Sequence, residues 1–321
     1  DERYVYQQRN NKQILHPNNK QLTLCILSFD CSSSTQPSGT EKINFAGGEP
    51  FLHPTLLGEL CKLSSSKLGM AVSIISNGSL ITAEWMETYG TYVDVLGISV
   101  DSFDDATNAA IGRGDTREQQ SKRSSSSSSS HNQHVDRVLK VRELCRKHDI
   151  IFKLNTVVCS LNWEEDMTAQ VKRLEPQRWK VFQVLLLDNE NMGGEHTVET
   201  TLSSAVRGGS NSTAADKKKK TTVTALRDAR PLVVTDDQFD AFVQRHAPHI
   251  PQLIPEPNNV MQNSYLLLDE DMCFLDCSQG SKVPGESILK VGVHKALQQA
   301  GFDHSMFQQR GGEYEWKRER E

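Results

Sequence analysis

Lys42-Ile43-Asn44-Phe45-Ala46-Gly47-Gly48-Glu49-Pro50 reads as a short strand that runs into a glycine pair and a carboxylate. Alternation puts Ile43 and Phe45 on one face and Lys42 and Asn44 on the other. Gly47 and Gly48 carry no Cβ, so a ligand can approach the backbone there. Glu49 sets an acceptor beside those peptide groups, and Pro50 ends the pairing. Such an edge suits a small cationic group, such as the amine of an amino acid.

Strand and helix alternate from this point onward. Residues 70–75, 93–100, 150–158 and 179–187 are expected as strands, with a further short one at 252–254. Leu56, Leu57, Leu60 and Leu63 have the spacing of a helix stripe. Further helices are predicted at 82–89, 135–148, 164–174 and 236–246, and residues 101–113 as a polar, structured loop. Short connections between alternating elements predict parallel βα units, in a barrel or a doubly wound sheet. The strands are too few for a closed eight-unit barrel. The expected fold is therefore α/β, a partial, open (βα) barrel over residues 39–255 followed by a C-terminal lid over 256–321.

Residues 1–38 form a divergent segment rich in Gln, Asn, Ser and Lys, with one candidate strand at 21–29. In the lid, a strand is expected at 265–268 and a helix at 291–300. Two inserts interrupt the pattern. Residues 115–134 hold seven consecutive serines, and 193–230 hold Lys217, Lys218, Lys219 and Lys220 in a Gly/Ser/Thr background. Neither offers the apolar surface that offsets ordering entropy, so both are expected as disordered surface loops.

Lysine and arginine number 36 against 41 acidic residues, a net charge of -5, which argues against bulk nucleic-acid binding. No run of eighteen apolar residues reads as a membrane span, and the polar start at Asp1 is not a signal peptide. Seven scattered cysteines read as reduced thiols of a cytoplasmic protein.

Strands covered on both faces should be almost wholly apolar, and three here are not. Lys42 alternates with Asn44, Lys153 with Asn155, and Arg178 with Lys180. Period-2 spacing gives each pair one face, while Ile43, Phe45, Phe152, Leu154, Trp179 and Val181 face the helices. Cations converging inside a barrel need a counter-charge. A bound polyanion such as a triphosphate supplies one; the alternative is that these side chains are solvated strand ends. Asn77 and Ser99 lie at C-terminal strand ends, where α/β sites are built. Arg113, in Gly112-Arg113-Gly114, can reach a carboxylate.

Taken in order, 42–50, Ser76-Asn77-Gly78-Ser79-Leu80, Ser99-Val100-Asp101-Ser102-Phe103-Asp104, Ile111-Gly112-Arg113-Gly114 and Arg178-Trp179-Lys180-Val181 resemble the viperin-like radical S-adenosylmethionine family. Asn263-Ser264-Tyr265-Leu266, Phe274-Leu275-Asp276-Cys277 and Arg310-Gly311-Gly312 extend the likeness. The resemblance implies a partial (βα)6 barrel, antiviral defence, and conversion of CTP to 3′-deoxy-3′,4′-didehydro-CTP through a 5′-deoxyadenosyl radical. It implies S-adenosyl-L-methionine and a [4Fe–4S] cluster as cofactors. By resemblance Gly47, Gly48, Glu49, Asn77, Ser99 and Arg113 bind the cofactor. Lys42, Lys153, Asn155, Arg178 and Lys180 bind the nucleotide, and Tyr265 completes the radical step. Cytosolic iron–sulfur assembly proteins are the implied partners of the C-terminus around Trp316, and peripheral contact with the endoplasmic reticulum depends on an upstream segment.

The family's C-x3-C-x2-C cluster motif is expected within the first dozen residues, which read Val5-Tyr6-Gln7-Gln8-Arg9-Asn10-Asn11-Lys12 over the corresponding stretch. Cys25 and Cys31 have a different spacing. The first βα unit is therefore read as replaced, by a mis-spliced or mis-predicted exon or by divergence. An inactive nucleotide-binding paralogue is the alternative function, and no metal ligands are assigned.

Overall fold

The computed structural model describes residues 23–29, 40–113, 133–187, 191–193, 195–202, 217–224, 228–261, 263–279, 281–312, 314 and 316. Twelve strands are seen among them: β1 Thr23–Phe29, β2 Thr40–Ala46, β3 Ala71–Ser76, β4 Val95–Ser99, β5 Ile151–Val158, β6 Arg178–Gln183, β7 Glu195–Leu202, β8 Lys217–Thr224, β9 Leu253–Glu256, β10 Leu266–Leu268, β11 Cys273–Asp276 and β12 Val283–Ser287. The helices are α1 Pro54–Ser66, α2 Ala83–Tyr89, α3 Asp105–Ile111, α4 Gln133–Lys147, α5 Thr168–Leu174, α6 Asp236–His246, α7 Asn258–Met261, α8 Ile288–Val291, α9 Val293–Leu297 and α10 His304–Gln309.

Ten strands form one sheet in the order β12-β11-β10-β1-β2-β3-β4-β5-β6-β9. The run β2-β3-β4-β5-β6-β9 is parallel throughout. These six strands are the ones the alternation predicted, and with α1, α2, α4, α5 and α6 between them they make the partial radical SAM barrel. The apolar alternate residues behave as expected: Phe45, Phe152, Leu154, Trp179 and Val181 are buried with Leu57, Val138, Val171, Phe239 and Phe242 in one core.

Local chemistry sets the helix ends. Thr82 caps α2 through the Trp85 N–H, and Thr235 with Gln238 forms a capping box on α6. Several expectations need correction. The 101–113 loop contains α3, started by the Asp104 side chain on the Thr107 N–H and stopped by Gly112 at φ 84°. On α1 the buried face is Leu57, Cys61, Ser64 and Ser65, whereas Leu56 and Leu63 are exposed. The stripe was misread because small residues, not only leucines, fill the contact. The helix expected at 291–300 is broken in two by Gly292.

The 115–134 insert lies mostly outside the described residues. The 193–230 insert, expected as disordered, holds an antiparallel ladder of β7 with β8 that sets Glu199 opposite Lys220. Thr and Val carry strand preference that a reading of bulk composition overlooked. β1 confirms the strand proposed at 21–29, but it runs antiparallel to both β2 and β10, so it is not a βα repeat. Through β1 the strands β10, β11 and β12 join the sheet. Leu266, Leu268, Phe274, Ala296 and Ala300 form a second, small core there.

Candidate functional site

Two polar regions occupy the sheet. The first lies at the C-terminal ends of β2, β3 and β4. After β2 the chain turns through Gly47 (φ 84°) and Gly48 (φ 53°), conformations that favour glycine. Glu49 Oε1 accepts from the Phe51 N–H at 3.1 Å and from Ser76 Oγ at 2.7 Å, and Oε2 accepts from the Asn77 N–H at 2.8 Å. Asn77 Oδ1 accepts from the Ser79 N–H. Ser99 ends β4 in register with Asn155. Arg113 pairs with Asp101, whose other oxygen accepts from the Val157 N–H. The structure thus joins Glu49 to Asn77 directly and sets Ser99 on the adjoining strand, while Arg113 is tied to Asp101 rather than to the glycine turn.

The second region is a cavity of about 280 Å³ lined by Lys42, Lys153, Asn155, Lys180, Tyr265 and Arg310, among others. The alternation argument holds for the three lysines, which converge on the cavity, whereas Arg178 is half-buried and outside its lining. Lys42, Lys153 and Lys180 are 2, 9 and 4% exposed, so the alternative of solvated strand ends does not apply to them. Gly97 lies between Ile75 and Lys153 in register. A Cβ there would come within 2.5 Å of Ile75 Cδ1, so glycine keeps this part of the cavity open.

Three residues that complete the chamber went unassigned in the sequence. Glu256, fully buried, forms ion pairs with Lys180 and with Arg310 Nη1. It also accepts from the Tyr265 hydroxyl. Arg310 donates from Nε and Nη2 to the Ser264 carbonyl at 3.1 and 2.9 Å and stacks 3.8 Å over the Tyr265 ring. Tyr314 accepts from Lys42 Nζ at 3.0 Å, and Arg178 lies 3.9 Å over its ring. Arg178 Nη2 also donates to the Gly311 carbonyl. For Glu256 a signal existed: period 2 carried on from Ile254 puts it on the chamber face. For Arg310 and Tyr314 none did, because both arrive from a distant C-terminal segment.

Electrostatics follow from the crowding. Burial, then Lys180, Arg178 and Arg310, lower the Lys42 ammonium to about 7. Burial lowers Lys180 to about 8 against the pull of Glu256. Burial, Lys180 and Lys42 push Lys153 well below the ordinary lysine range. Burial alone would raise the Glu256 carboxyl, but Lys180 and Arg310 outweigh it and hold it low. Asn44 Oδ1, Asn155 Oδ1 and Arg178 Nε are buried without a partner among the described residues. An anion with several oxygens and hydroxyls meets these needs.

The implied cofactors fit unequally. A carboxylate offers about four lone-pair sites, and Glu49 uses three, so an ammonium can take the fourth beside the open glycine backbone. A cluster needs thiolates. Among the described residues no group of three or more His, Cys, Asp or Glu side chains is placed to hold a metal ion. Cys61, Cys145 and Cys159 are buried, and burial raises the thiols, that of Cys145 to about 12. The described residues do not fit a cluster. Cys25 stands on β1 in register with Asn44 and Leu267, and Cys31 lies outside the described residues.

Residues 34–171 match the Radical SAM superfamily. The S-adenosylmethionine-dependent nucleotide dehydratase RSAD2 of Oncorhynchus mykiss is 43% identical over 284 residues, covering 88% of this chain and 69% of that protein. An S-adenosylmethionine-dependent nucleotide dehydratase of Flammeovirga pacifica is 30% identical, over 87% of this chain and 79% of its own. A solved domain of a pyruvate-formate lyase-activating enzyme from Bacteroides vulgatus overlaps 67% of this chain and 98% of its own at 12% identity, with a TM-score of only 0.40. No helix among the described residues is long and apolar enough to cross a membrane. On the extent of its likeness to the dehydratases, the chain belongs to the viperin-like S-adenosylmethionine-dependent nucleotide dehydratases of the radical SAM superfamily.

Proposed function

We propose that the basic chamber holds the triphosphate of CTP. On this reading the chain belongs to the reaction that removes the elements of water from CTP to give 3′-deoxy-3′,4′-didehydro-CTP in antiviral defence. The observation that carries the reading is the charge imbalance. Five basic side chains, Lys42, Lys153, Arg178, Lys180 and Arg310, stand against two carboxylates among the described residues, Glu256 and, acting on Lys42, Asp94. Lys42, Lys153, Arg178 and Lys180 bind the phosphates in this reading, Asn155 offers an amide to the nucleotide, and Tyr265 at the cavity wall is the catalytic residue. Gly47, Gly48, Glu49, Asn77, Ser99 and Arg113 hold S-adenosyl-L-methionine, which would supply radical chemistry when bound together with a one-electron donor. Free thiols at Cys61, Cys145, Cys159, Cys273 and Cys277 favour a cytoplasmic location. Trp316 lies over Lys42 at 5.1 Å, so iron–sulfur assembly proteins binding this tail would have to draw it away.

Calorimetry with CTP, CMP and cytidine tests the reading. CTP binds most tightly. Lys153→Ala weakens CTP by about tenfold, which is 1.4 kcal/mol, with little effect on cytidine. Lys172→Ala, an exposed lysine on α5, changes neither. Equal affinity for CTP and cytidine overturns the reading.

The poor fit of the described residues to a cluster favours a second reading, a nucleotide-binding chain that does not turn over. Anaerobic reconstitution with iron and sulfide decides between the two. No stable cluster signal in the visible and EPR spectra, with CTP binding intact, supports the second. A cluster that supports cleavage of S-adenosyl-L-methionine removes it.

A further inference from the structure

The three lysines of the chamber are not equivalent. Lys42 donates to Tyr314 and lies over the rings of Tyr314 and Trp316. Lys180 is ion-paired with Glu256. Lys153 lines the cavity with no hydrogen bond or ion pair among the described residues. Its neighbour in register on β4 is Gly97, which has no side chain to cover it. Its other register neighbour is Arg178. The groups that act on it electrostatically are Lys180, Lys42 and Arg178, all cationic, and Glu256, already engaged with Lys180, Arg310 and Tyr265. An ammonium without an acceptor among cations gives up its proton, and the resulting amine is a nucleophile. The same cations concentrate phosphate-bearing molecules around it.

We propose that Lys153 is a covalent attachment site whose Nζ condenses with phosphate-bearing aldehydes to form an imine inside the chamber. The proposal rests on the reading of the chamber as a phosphate site. The Nζ lone pair attacks the carbonyl carbon, the C=O π pair moves to oxygen, and a proton passes from nitrogen to that oxygen. The hydroxyl then leaves as water with a proton from solvent while nitrogen forms the C=N bond. Its remaining N–H proton returns to solvent in the neutral imine. One water is released, no electrons are transferred, and no further reactant is needed.

Pyridoxal 5′-phosphate and unphosphorylated pyridoxal are the probes, used on the full chain, with borohydride trapping and peptide mass mapping. The expected result is a single dominant label on Lys153. It forms at least about tenfold more readily with the phosphorylated probe and is suppressed by CTP. Lys153→Arg, which has no primary amine, loses the label. A dominant label on Lys42, on Lys180 or on exposed lysines such as Lys172 overturns the proposal. So does equal labelling by the two probes. CTP binding without a Lys153 label sinks this inference alone. A Lys153 label that CTP leaves untouched, with no calorimetric binding of CTP, sinks the nucleotide reading instead.

Discussion

Glu49 and Glu256 both stand at the C-terminal ends of parallel strands, and they meet opposite surroundings. Glu49 receives two backbone N–H groups and one hydroxyl, all neutral. Around it, Asn77 and Arg113 have partners of their own. Glu256 sits among Lys180, Arg310 and Tyr265 and leaves Lys153, Asn44 and Asn155 unanswered. The glycine turn is a finished local structure that a ligand can join. The chamber is an unfinished one whose electrostatics improve when an anion arrives.

The contrast can be broken most forcefully at Glu256. Glu256→Gln leaves Lys180 and Arg310 buried without a counter-charge, and unfolding by urea should show a loss of about 3–5 kcal/mol. Tripolyphosphate should restore part of it, because a ligand that binds only the folded state stabilises it. No loss in the variant would mean that the cations are already screened by water.

At the other carboxylate, Glu49→Ala removes the cap on the turn at Pro50–Leu52 and the links to Ser76 and Asn77. A cost of about 2 kcal/mol is expected, from one cap and two hydrogen bonds. CTP affinity measured by calorimetry should stay unchanged, which separates the two regions. Weakened CTP binding would show that they are coupled.

The smallest effect is spread over pH. Lys42 has a folded-state pKa near 7 against an unfolded value of 10.5. Below pH 7 the ammonium is charged in both states and the folded state bears the full penalty. Between 7 and 10.5 only the unfolded chain holds the proton, so stability rises with pH, by at most about 1.4 kcal/mol per unit for this group. Lys180 adds a similar rise from about 8. Chemical denaturation from pH 6.5 to 10 should show this, and Lys42→Met should flatten the lower part of the rise. Saturating CTP should oppose the trend, because bound phosphate returns the protons to these amines.

The parallel sheet was legible because each strand carries its own signal of apolar alternation bounded by turn residues. The chamber was legible through Lys42, Lys153, Arg178 and Lys180, whose spacing fixes a shared face before any tertiary contact is known. The direction of β1 was not, since a strand's sequence does not record which neighbour it pairs with. Nor were Arg310 and Tyr314: their places depend on the docking of α10 and the residues after it, a tertiary event with no local pattern. The hairpin of β7 and β8 was hidden by composition, because Thr-rich strands and flexible loops draw on similar residues.

Tyr314 meets Lys42 across 272 positions of chain, and β1 waits for β10 on the edge that β2 does not cover. A ribosome releasing this chain from its N-terminus therefore presents β1 and β2 long before the segments that finish them. Contacts of such wide separation form slowly, because loop closure must precede them. Until then one strand edge is open to any passing partner, and the lysines of β2 and β5 remain hydrated and charged. Assembly of the chamber thus waits for the segment around Tyr314, and those amines shed their protons only when it closes.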